Sequence, residues 1–423
     1  MIQFAIILFF LTYALMLVFS NYKHCIAFIS ACIFVLFGIL PVEKILDSID
    51  FNVLLMILGT MGTVSLFIES KMPNMLSDLI ILKTKNVKWM TLALALFSGV
   101  ISAFVDNVAT VLMIAPVTIA VAKKLKVSPV PIILAVSIFS NLEGAATLVG
   151  DTTSILLAGA MKLNFMDFFF YEGKMGLFFI VQLGLIAALL VLYFLMRKHN
   201  RKIEKGSVEK ISDYAPTVLL VLTVVSLIVA SFIDKKPELI NGYICMFYFI
   251  VGIIIKIIKT KSFSSIFNNL KEIDYQTLLL LASLFVIIGG VKEVGAIDYI
   301  GKVFMNIGSS SPFVMYTLIV FVSVLVSAFI DNIPYVATML PVVLSISLGT
   351  GINPTILYYG LIVGSTLGGN ITPIGASANI AAIGILNKNG YSVSNKEYFK
   401  MSVPISLAAI LTGYILILLL FPF

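Results

Sequence analysis

Charged residues are scarce in this chain. Of its 423 residues, only 12% are charged and 60% are hydrophobic, and the mean hydropathy is +1.10. A soluble globular domain carries about 25% charged residues, so that class is excluded. Apolar runs of about 20 residues, long enough to cross a bilayer as a helix, recur throughout the chain. The sequence therefore predicts an all-α polytopic protein embedded in a lipid bilayer.

Cysteine and arginine are also rare. The three cysteines, Cys25, Cys32 and Cys245, lie in or beside apolar runs and lack the spacing of a metal site or a disulfide framework, so we predict no cofactor. The only arginines, Arg197 and Arg201, share one basic loop, which excludes an arginine clamp on an anionic substrate within the membrane. The net charge of +7 arises in loops between apolar runs, where basic residues set membrane orientation, so we expect no nucleic-acid partner.

One long stretch occurs twice. Residues 102–150 match residues 327–375 at a constant offset of 225, without a gap. Each copy places a carboxylate and an amide, Asp106–Asn107 and Asp331–Asn332, inside an apolar run. Charge at such a depth is costly and is usually functional. The sequence therefore predicts two related halves, each with an Asp-Asn pair at its centre.

The residues around the matching stretches divide both halves in the same way. Each Asp-Asn pair lies in an apolar run too long for one helix across a hydrocarbon core of about 30 Å, which predicts a re-entrant helical hairpin. A second long run follows, and its polar, glycine-containing interruption predicts a discontinuous helix. The predicted segments are a first repeat at 1–196 (hairpin about 90–122, broken helix about 129–161), a linker at 197–214, and a second repeat at 215–423 (hairpin about 313–348, broken helix about 354–386).

The distribution of basic residues predicts the topology. If the hairpins are re-entrant, each half crosses five times, the halves are inverted, and all but seven of the 28 Lys and Arg residues lie on the linker side. If the hairpins cross, the basic residues divide evenly between the two sides. Because basic residues favour the cytoplasmic side, we predict the first arrangement, in the cytoplasmic membrane, with a cytoplasmic linker and both termini outside. The Asp-Asn tips then meet near the midplane, as in secondary transporters.

Candidate ligands lie at the predicted hairpin tips and helix breaks. Carboxylates and unwound carbonyls favour Na⁺ or H⁺, and hard oxygen donors suit Na⁺ better than a soft metal. The candidates for Na⁺ are Asp106, Asn107, Asp331, Asn332 and Asn370. The other candidate ligands are Thr110, Asn141, Glu143, Thr147, Asp151, Thr152 and Ser154 in the first half, and Thr366, Thr372, Ser377 and Asn379 in the second.

Two of these candidates distinguish the halves. Glu143 and Asp151 have no acidic counterparts, because Gly368 and Ala376 occupy the matching positions. Several carboxylates close together cannot all stay ionised in a site of low dielectric constant. We therefore predict that the first-half site binds the proton and that the second-half site, rich in Asn and Thr, binds Na⁺.

Structural explanations stay open for several candidates. Asp106 and Asp331 could serve as N-caps of the helices that follow them. Glu143 and Asp151 could lie at the membrane interface rather than near its centre. Lone hydroxyl groups in helices often bond their own backbone, and this applies to Thr110 and Ser154.

The motifs resemble a known group of transporters. The runs Ser102–Val111, with Pro116, and Asn141–Ser154 resemble the paired signatures of the ion transporter superfamily. That group includes arsenite permeases, D-type sodium/proton antiporters, the melanosomal P protein, and citrate-transporter-like and divalent-anion/sodium symporters. The resemblance covers nearly the whole chain and is specific to the superfamily but not to a substrate.

The resemblance implies a homodimeric elevator, in which hairpins and broken helices carry the substrate past a fixed scaffold. It places ligand roles on the two Asp-Asn pairs, on the first break with Gly144, and on Gly369–Asn379. The sequence departs from the commoner pattern at two places. Glu143 stands where glycine is usual, and Thr152–Ser154 replaces Pro-Pro-Asn.

The sequence thus predicts a secondary transporter, not an enzyme, that is coupled to Na⁺ or H⁺ and moves a small anion or oxyacid such as a carboxylate or arsenite. A Na⁺/H⁺ antiporter without other cargo is the alternative, favoured by the four acidic residues. An intramembrane aspartyl protease would use Asp106 and Asp331 as a dyad that shares a proton. Neither residue lies in a Gly-x-Gly-Asp setting, which disfavours the protease. A passive channel is a further alternative to a carrier.

Overall fold

The computed structural model describes residues 1–203, 209–262, 264–297, 299, 301–303 and 311–422, and these are nearly all helical. The elements of the first half are α1 (Ile2–Val18), α2 (Lys23–Leu36), α3 (Ile45–Ser48), α4 (Phe51–Glu69), α5 (Met72–Lys83), α6 (Val87–Ser102), α7 (Asn107–Leu125), α8 (Val130–Glu143), α9 (Thr152–Met161), the short strands β1 (Phe170–Tyr171) and β2 (Lys174–Met175), and α10 (Leu177–Leu195). Single 3₁₀ turns lie at Ser20–Tyr22, Val42–Lys44 and Met166–Phe168.

The second half follows a similar order of elements. Its helices are α11 (Ala215–Ser231), α12 (Ile240–Thr260), α13 (Ser264–Glu272), α14 (Tyr275–Glu293), α15 (Pro312–Ser327), α16 (Asn332–Thr350), α17 (Pro354–Ile362), which continues into a π-helical turn (Val363–Leu367), α18 (Ser377–Lys388) and α19 (Asn395–Leu420). In both halves a short loop joins two apolar helices at the Asp-Asn motif, and a break without regular helix interrupts the next long apolar run.

Several helices are long and apolar enough to cross a membrane. In the described part of the chain these are seven helices, namely α4, α7, α10, α12, α14, α16 and α19. Large apolar side chains on the outside of the bundle are exposed, for example Leu36 (81%), Leu348 (78%) and Leu419 (72%), which suits contact with lipid. The prediction of an all-α polytopic membrane protein is confirmed. The inverted relation of the halves and the elevator movement stay predictions.

The two halves interlock through closely packed helix pairs. Helix α12 packs along α4, and α14 packs along α2, so each pair takes one helix from each half. Small residues permit this approach, as is usual between membrane helices. A Cβ on Gly59 would lie 2.4 Å from the carbonyl carbon of Cys245, and a Cβ on Gly290 would lie 2.6 Å from the ring of Phe34. Helix α10 likewise packs along α19.

The segment between the halves lies across one end of the bundle. Residues 204–208 of the predicted linker lie outside the described residues. The main-chain nitrogen of Val87 donates to the carbonyl of Arg201 at 3.0 Å, and that of Ser212 donates to the carbonyl of Ser70 at 3.1 Å. The start of α6, the end of α4 and the linker therefore share one end of the molecule, which is called the linker end below.

Candidate functional site

The two Asp-Asn motifs begin helices, because their aspartates cap them. The first tip (residues 103–106) joins α6 to α7, and the Oδ1 atom of Asp106 accepts hydrogen bonds from the main-chain nitrogens of Val108 and Ala109, both at 3.0 Å. The second tip (residues 328–331) joins α15 to α16, and the Oδ1 atom of Asp331 accepts from the nitrogen of Ile333 at 3.3 Å. Both aspartates are therefore N-caps, and in each the Oδ2 atom is left for another partner.

Each helix break is hydrogen-bonded to the tip of its own half. In the first break (residues 144–151), the hydroxyl of Thr147 donates to the carbonyl of Ala103. In the second break (residues 368–376), the hydroxyl of Thr372 donates to the carbonyl of Ala328 in the same way. Thr147 and Thr372 are both buried, so these bonds fix the tips and do not leave the hydroxyls open to a ligand.

Glycine is required where each break folds back on itself. A Cβ on Gly150 would lie 2.8 Å from the carbonyl oxygen of Gly144, and a Cβ on Gly375 would lie 2.6 Å from that of Gly369. No side chain fits at these distances, so Gly150 and Gly375 permit close approach of the backbone to the predicted Gly144 and Gly369. The carbonyl of Gly144 also has a hydrogen-bond partner, because Ser154 Oγ donates to it at 2.9 Å.

Buried amide side chains connect the two breaks across the halves. Asn107 Nδ2 donates to Asn141 Oδ1 at 2.9 Å. Asn141 Nδ2 in turn donates to the carbonyl of Thr366 at 2.7 Å and to Asn370 Oδ1 at 3.1 Å. Asn370 Nδ2 returns to the first half and donates to the carbonyl of Ile138 at 3.0 Å. Three predicted ligands, at positions 107, 141 and 370, thus form a joint between the halves.

Asn379 extends this joint. Its Nδ2 atom donates to the Gly369 carbonyl and to Asn370 Oδ1, both at 3.3 Å, and its Oδ1 atom accepts from Ser137 Oγ at 2.6 Å. Thr366 Oγ1 lies 3.2 Å from Thr153 Oγ1, in another contact between the halves. The amides are satisfied by protein groups, as buried polar groups generally are.

An acidic cavity of about 450 Å³ lies between the tips and helices α4 and α14. Its lining residues are Met61, Val64, Ser65, Ile68, Asp106, Asn107, Val108, Ala109, Leu112, Asp151, Thr152, Glu272, Asp274, Thr277, Asn332, Ile333 and Ser377. Four of them are carboxylates, and this lining contains no Lys or Arg. The structure therefore brings together Asp106, Asn107, Asp151, Thr152, Asn332 and Ser377 from the predicted set, with contributions from both halves.

At this cavity, Asp151 of the first half contacts Asn332 of the second half. It caps α9 by accepting a hydrogen bond from the nitrogen of Thr152 at 2.7 Å. Its Oδ2 atom accepts from Thr153 Oγ1 at 3.2 Å and faces Asn332 Nδ2 at 3.5 Å. Asp151 is buried within the protein.

Two charged residues at the site were not among the predicted ligands. Asp274 caps α14, accepting from the nitrogen of Thr277 at 3.0 Å and from its hydroxyl at 2.6 Å, and it faces the acidic cavity. Asp50, which caps α4 in the first half, lies 224 positions before Asp274 in the sequence, and this correspondence was a usable signal. Lys23, at the start of α2, forms an ion pair with Asp331. No local sequence signal links two residues that lie 308 positions apart.

Glu143 and Thr110 are two further predicted ligands that do not line the acidic cavity. Glu143 is fully buried, and its side chain packs against Gly99 of α6. Its Oε2 atom accepts from Gln182 Nε2 at 2.5 Å, while Oε1 has no hydrogen-bond partner among the described residues. Thr110 Oγ1 donates to the carbonyl of Asp106 at 3.0 Å, so its hydroxyl serves its own helix.

The cavity extends toward the linker end. Ile68 lines it, and two residues later the carbonyl of Ser70 accepts the hydrogen bond from Ser212. Glu272 lines it as well and is the last residue of α13, the helix that contacts the end of α4 through Asn269 and Glu69. Asp106 and Asp151 lie beside Met61 and Val64, one to two turns of α4 further from that end, so these two carboxylates lie at the inner end of the cavity.

Comparison with known proteins shows relatives among membrane transporters. The "46 kDa membrane protein" of Mycobacterium leprae is 29% identical over 423 aligned residues that cover 96% of each chain. The "uncharacterized transporter Rv2684" of Mycobacterium tuberculosis is 32% identical over 334 residues that cover 75% of each chain. The P protein of Homo sapiens is 28% identical over 450 residues, which cover 87% of this chain and 53% of that protein.

Solved structures support the same fold. The YdaH transporter of Alcanivorax borkumensis superposes with a TM-score of 0.60 at 13% identity, over 88% of this chain and 86% of that chain. MtrF of Neisseria gonorrhoeae, from a class of antimetabolite efflux pumps, superposes with a TM-score of 0.57 at 15% identity, over 88% and 81%. The sequence profile of the citrate transporter family, CitMHS, matches residues 13–364. The chain therefore belongs to the citrate transporter family and is a multi-pass membrane transporter.

Proposed function

We propose that the protein is a secondary active transporter in which a monovalent cation, Na⁺ or H⁺, binds in the acidic cavity and drives the movement of a small anion or oxyacid. The observation that carries this proposal is the composition of the cavity wall. Asp106, Asp151, Glu272 and Asp274 line it, and none of its described lining residues is Lys or Arg. Carboxylates that face one another in a membrane need a compensating positive charge.

The groups that remain open at the inner end are hard oxygen donors. Asp106 Oδ2 accepts no hydrogen bond from the described residues, since its partners use Oδ1. Asp151 Oδ2 and the side chains of Asn332 and Thr152 line the cavity together with Asp106. Carboxylate and amide oxygens suit Na⁺. We therefore assign the cation to the region between Asp106 and Asp151.

We infer the proposed cargo from the family profile and from the negative charge of the cavity wall. A bound cation reduces the negative charge of the wall, so that an anion can enter only together with it. This order of events couples the two fluxes. The volume of about 450 Å³ lies within the range of small-molecule pockets. Citrate is the first carboxylate to test, because the family profile is that of citrate transporters.

The proposed transport cycle depends on the hydrogen bonds that join the two halves. The amide joint ties the breaks of both halves into one unit, which we propose moves past α1–α4 and α11–α14 as an elevator in a homodimer. The linker carries both arginines and several lysines, so we propose that it lies in the cytoplasm. The cavity extends toward the linker end, so we propose an inward-facing conformation, with both termini outside the cytoplasmic membrane.

Counterflow in proteoliposomes tests the proposal. Full-length protein is reconstituted in vesicles loaded with unlabelled citrate, and uptake of labelled citrate is followed with and without Na⁺ and at several pH values. We expect saturable uptake that requires Na⁺ or a proton gradient and that is lost in Asp106→Asn. Uptake that neither saturates nor depends on any cation would indicate a passive channel and would overturn the proposal.

Exchange of Na⁺ for H⁺ without other cargo is a second candidate function. In the part of the chain that the structure describes, no Lys or Arg lines the cavity, which favours this candidate because an anion would meet no cationic side chain there. In vesicles that contain a pH-sensitive dye, a Na⁺ pulse would then release protons in the absence of any carboxylate or oxyacid. A response that appears only when citrate or another anion is added would exclude this candidate.

A further inference from the structure

The two tips hold their aspartates alike but give them different partners. Asp106 and Asp331 occupy matching positions of the repeat, and each caps its helix through Oδ1. The Oδ2 atom of Asp331 accepts a hydrogen bond from Ser377 Oγ at 3.1 Å and forms the ion pair with Lys23. The Oδ2 atom of Asp106 has no such partner in the described part of the chain, and it faces the acidic cavity.

The neighbouring positions strengthen this difference. Ser377 matches Thr152 in the repeat, and Ala376 matches Asp151. When all groups are ionised, the first tip and first break together have two carboxylates, Asp106 and Asp151, and no cationic side chain among the described residues pairs with them. The second tip has one carboxylate and one ammonium group. The charge of the second tip is already balanced by the protein itself, whereas that of the first tip is not.

Lys23 is held in place by elements outside the tips and breaks. It begins α2, which packs along α14. In the preceding helix α1, the hydroxyl of Tyr13 donates to the carbonyl of Pro334 at 2.9 Å and contacts the hydroxyl of Thr338. The side chain of Lys23 is 25% exposed and that of Asp331 is 16% exposed, so water only partly screens the ion pair. The ammonium group thus reaches the second tip from a neighbouring helix.

We propose that the ammonium group of Lys23 is a tethered cation, which takes at Asp331 the place that a free monovalent cation takes at Asp106. Each chain then binds one exchangeable cation, at Asp106 and Asp151. A free ion must displace a tethered group whose local concentration is high, so Na⁺ does not compete at Asp331. This inference rests on the proposed cation coupling, and it reverses the sequence-based assignment of Na⁺ to the second half.

Equilibrium binding of radioactive Na⁺ to purified full-length protein tests the inference by counting ions per chain at saturation. We expect one Na⁺ for the wild type and one for Lys23→Arg, which keeps the charge. Lys23→Ser removes the ammonium group, leaves space and adds a hydroxyl oxygen, so it should bind two. Combining it with Asp331→Asn should restore one. The matched control is Lys44→Ser, which removes a lysine from an exposed ion pair and should leave the count at one.

The other outcomes are equally informative. A folded Lys23→Ser protein that binds one Na⁺ would overturn the inference. If that variant does not fold, Asp331→Asn decides: a count that stays at one supports the inference, and a lower count refutes it. A wild type that binds two Na⁺ overturns the inference but leaves the proposed cation coupling standing. A wild type that binds no Na⁺ overturns the inference and the proposed Na⁺ coupling together.

Discussion

Replacing Asn141 with leucine removes three buried hydrogen bonds from the joint between the halves. These are the bonds from Asn107 Nδ2 at 2.9 Å, to the Thr366 carbonyl at 2.7 Å and to Asn370 Oδ1 at 3.1 Å. Leucine has a similar size, so we expect no large cavity and attribute the effect to the lost bonds. At about 0.6 kcal/mol for each hydrogen bond between membrane helices, the loss in unfolding free energy is about 2 kcal/mol.

Unfolding in mixed micelles with increasing SDS, followed by the fluorescence of the single tryptophan, Trp89, measures this loss. The control is Thr118→Val, which removes a buried hydroxyl that bonds only the Ile114 carbonyl of its own helix, at 2.9 Å. The control should lose less than about 1 kcal/mol, since the main-chain partner belongs to the helix ladder. If Asn141→Leu is no less stable than Thr118→Val, the bonds across the halves do not hold the two breaks together.

Three further predictions concern topology, a buried carboxylate and a helix break. A cysteine introduced near Lys124 should be protected from an impermeant reagent added outside cells, whereas one near Gly349 should react, because the halves are predicted to be inverted. Glu143→Gln should keep Na⁺ binding, measured by the Na⁺-dependent rise in melting temperature, because Glu143 does not line the acidic cavity. Gly150→Ala places a Cβ 2.8 Å from a carbonyl oxygen of the break and should lower the melting temperature by several degrees, whereas Gly384→Ala, with open space around it, should not.

Each of these predictions can fail in a distinct way. Reaction of the cysteine near Lys124 from outside would rule out the inverted topology. Loss of Na⁺ stabilisation in folded Glu143→Gln protein would place this carboxylate in the ion site, although it is not among the residues that line the cavity. Equal melting temperatures for the two glycine variants would show that the first break relaxes around an added methyl group.

The repeat predicted much of the site from the sequence. Asp106, Asp151, Asn332 and Ser377 were all among the predicted ligands, and all line one cavity. The reason is physical: a carboxylate or amide within an apolar run is visible in the sequence because its cost in a membrane must be offset by a role.

The sequence did not distinguish ligands from structural groups. Asn141, Asn370 and Asn379 carry the same amide group as Asn332, but they hydrogen-bond to one another and to main-chain carbonyls. Glu143 was predicted as a ligand from its place in the motif, and its nearest polar partner is Gln182 on α10. Whether an amide faces a cavity or another amide depends on helix packing, which local residue patterns do not encode.

The sequence by itself determined the class of protein, the helices and the positions of the polar interruptions, because low charge, apolar runs and glycine breaks act locally along the chain. The tertiary structure alone decided which charges meet. Lys23 reaches Asp331 only because α1 and α2 pack beside the second tip, and Asp274 faces the cavity only because α14 begins there. Such contacts join residues hundreds of positions apart, and their partners are chosen by packing rather than by spacing.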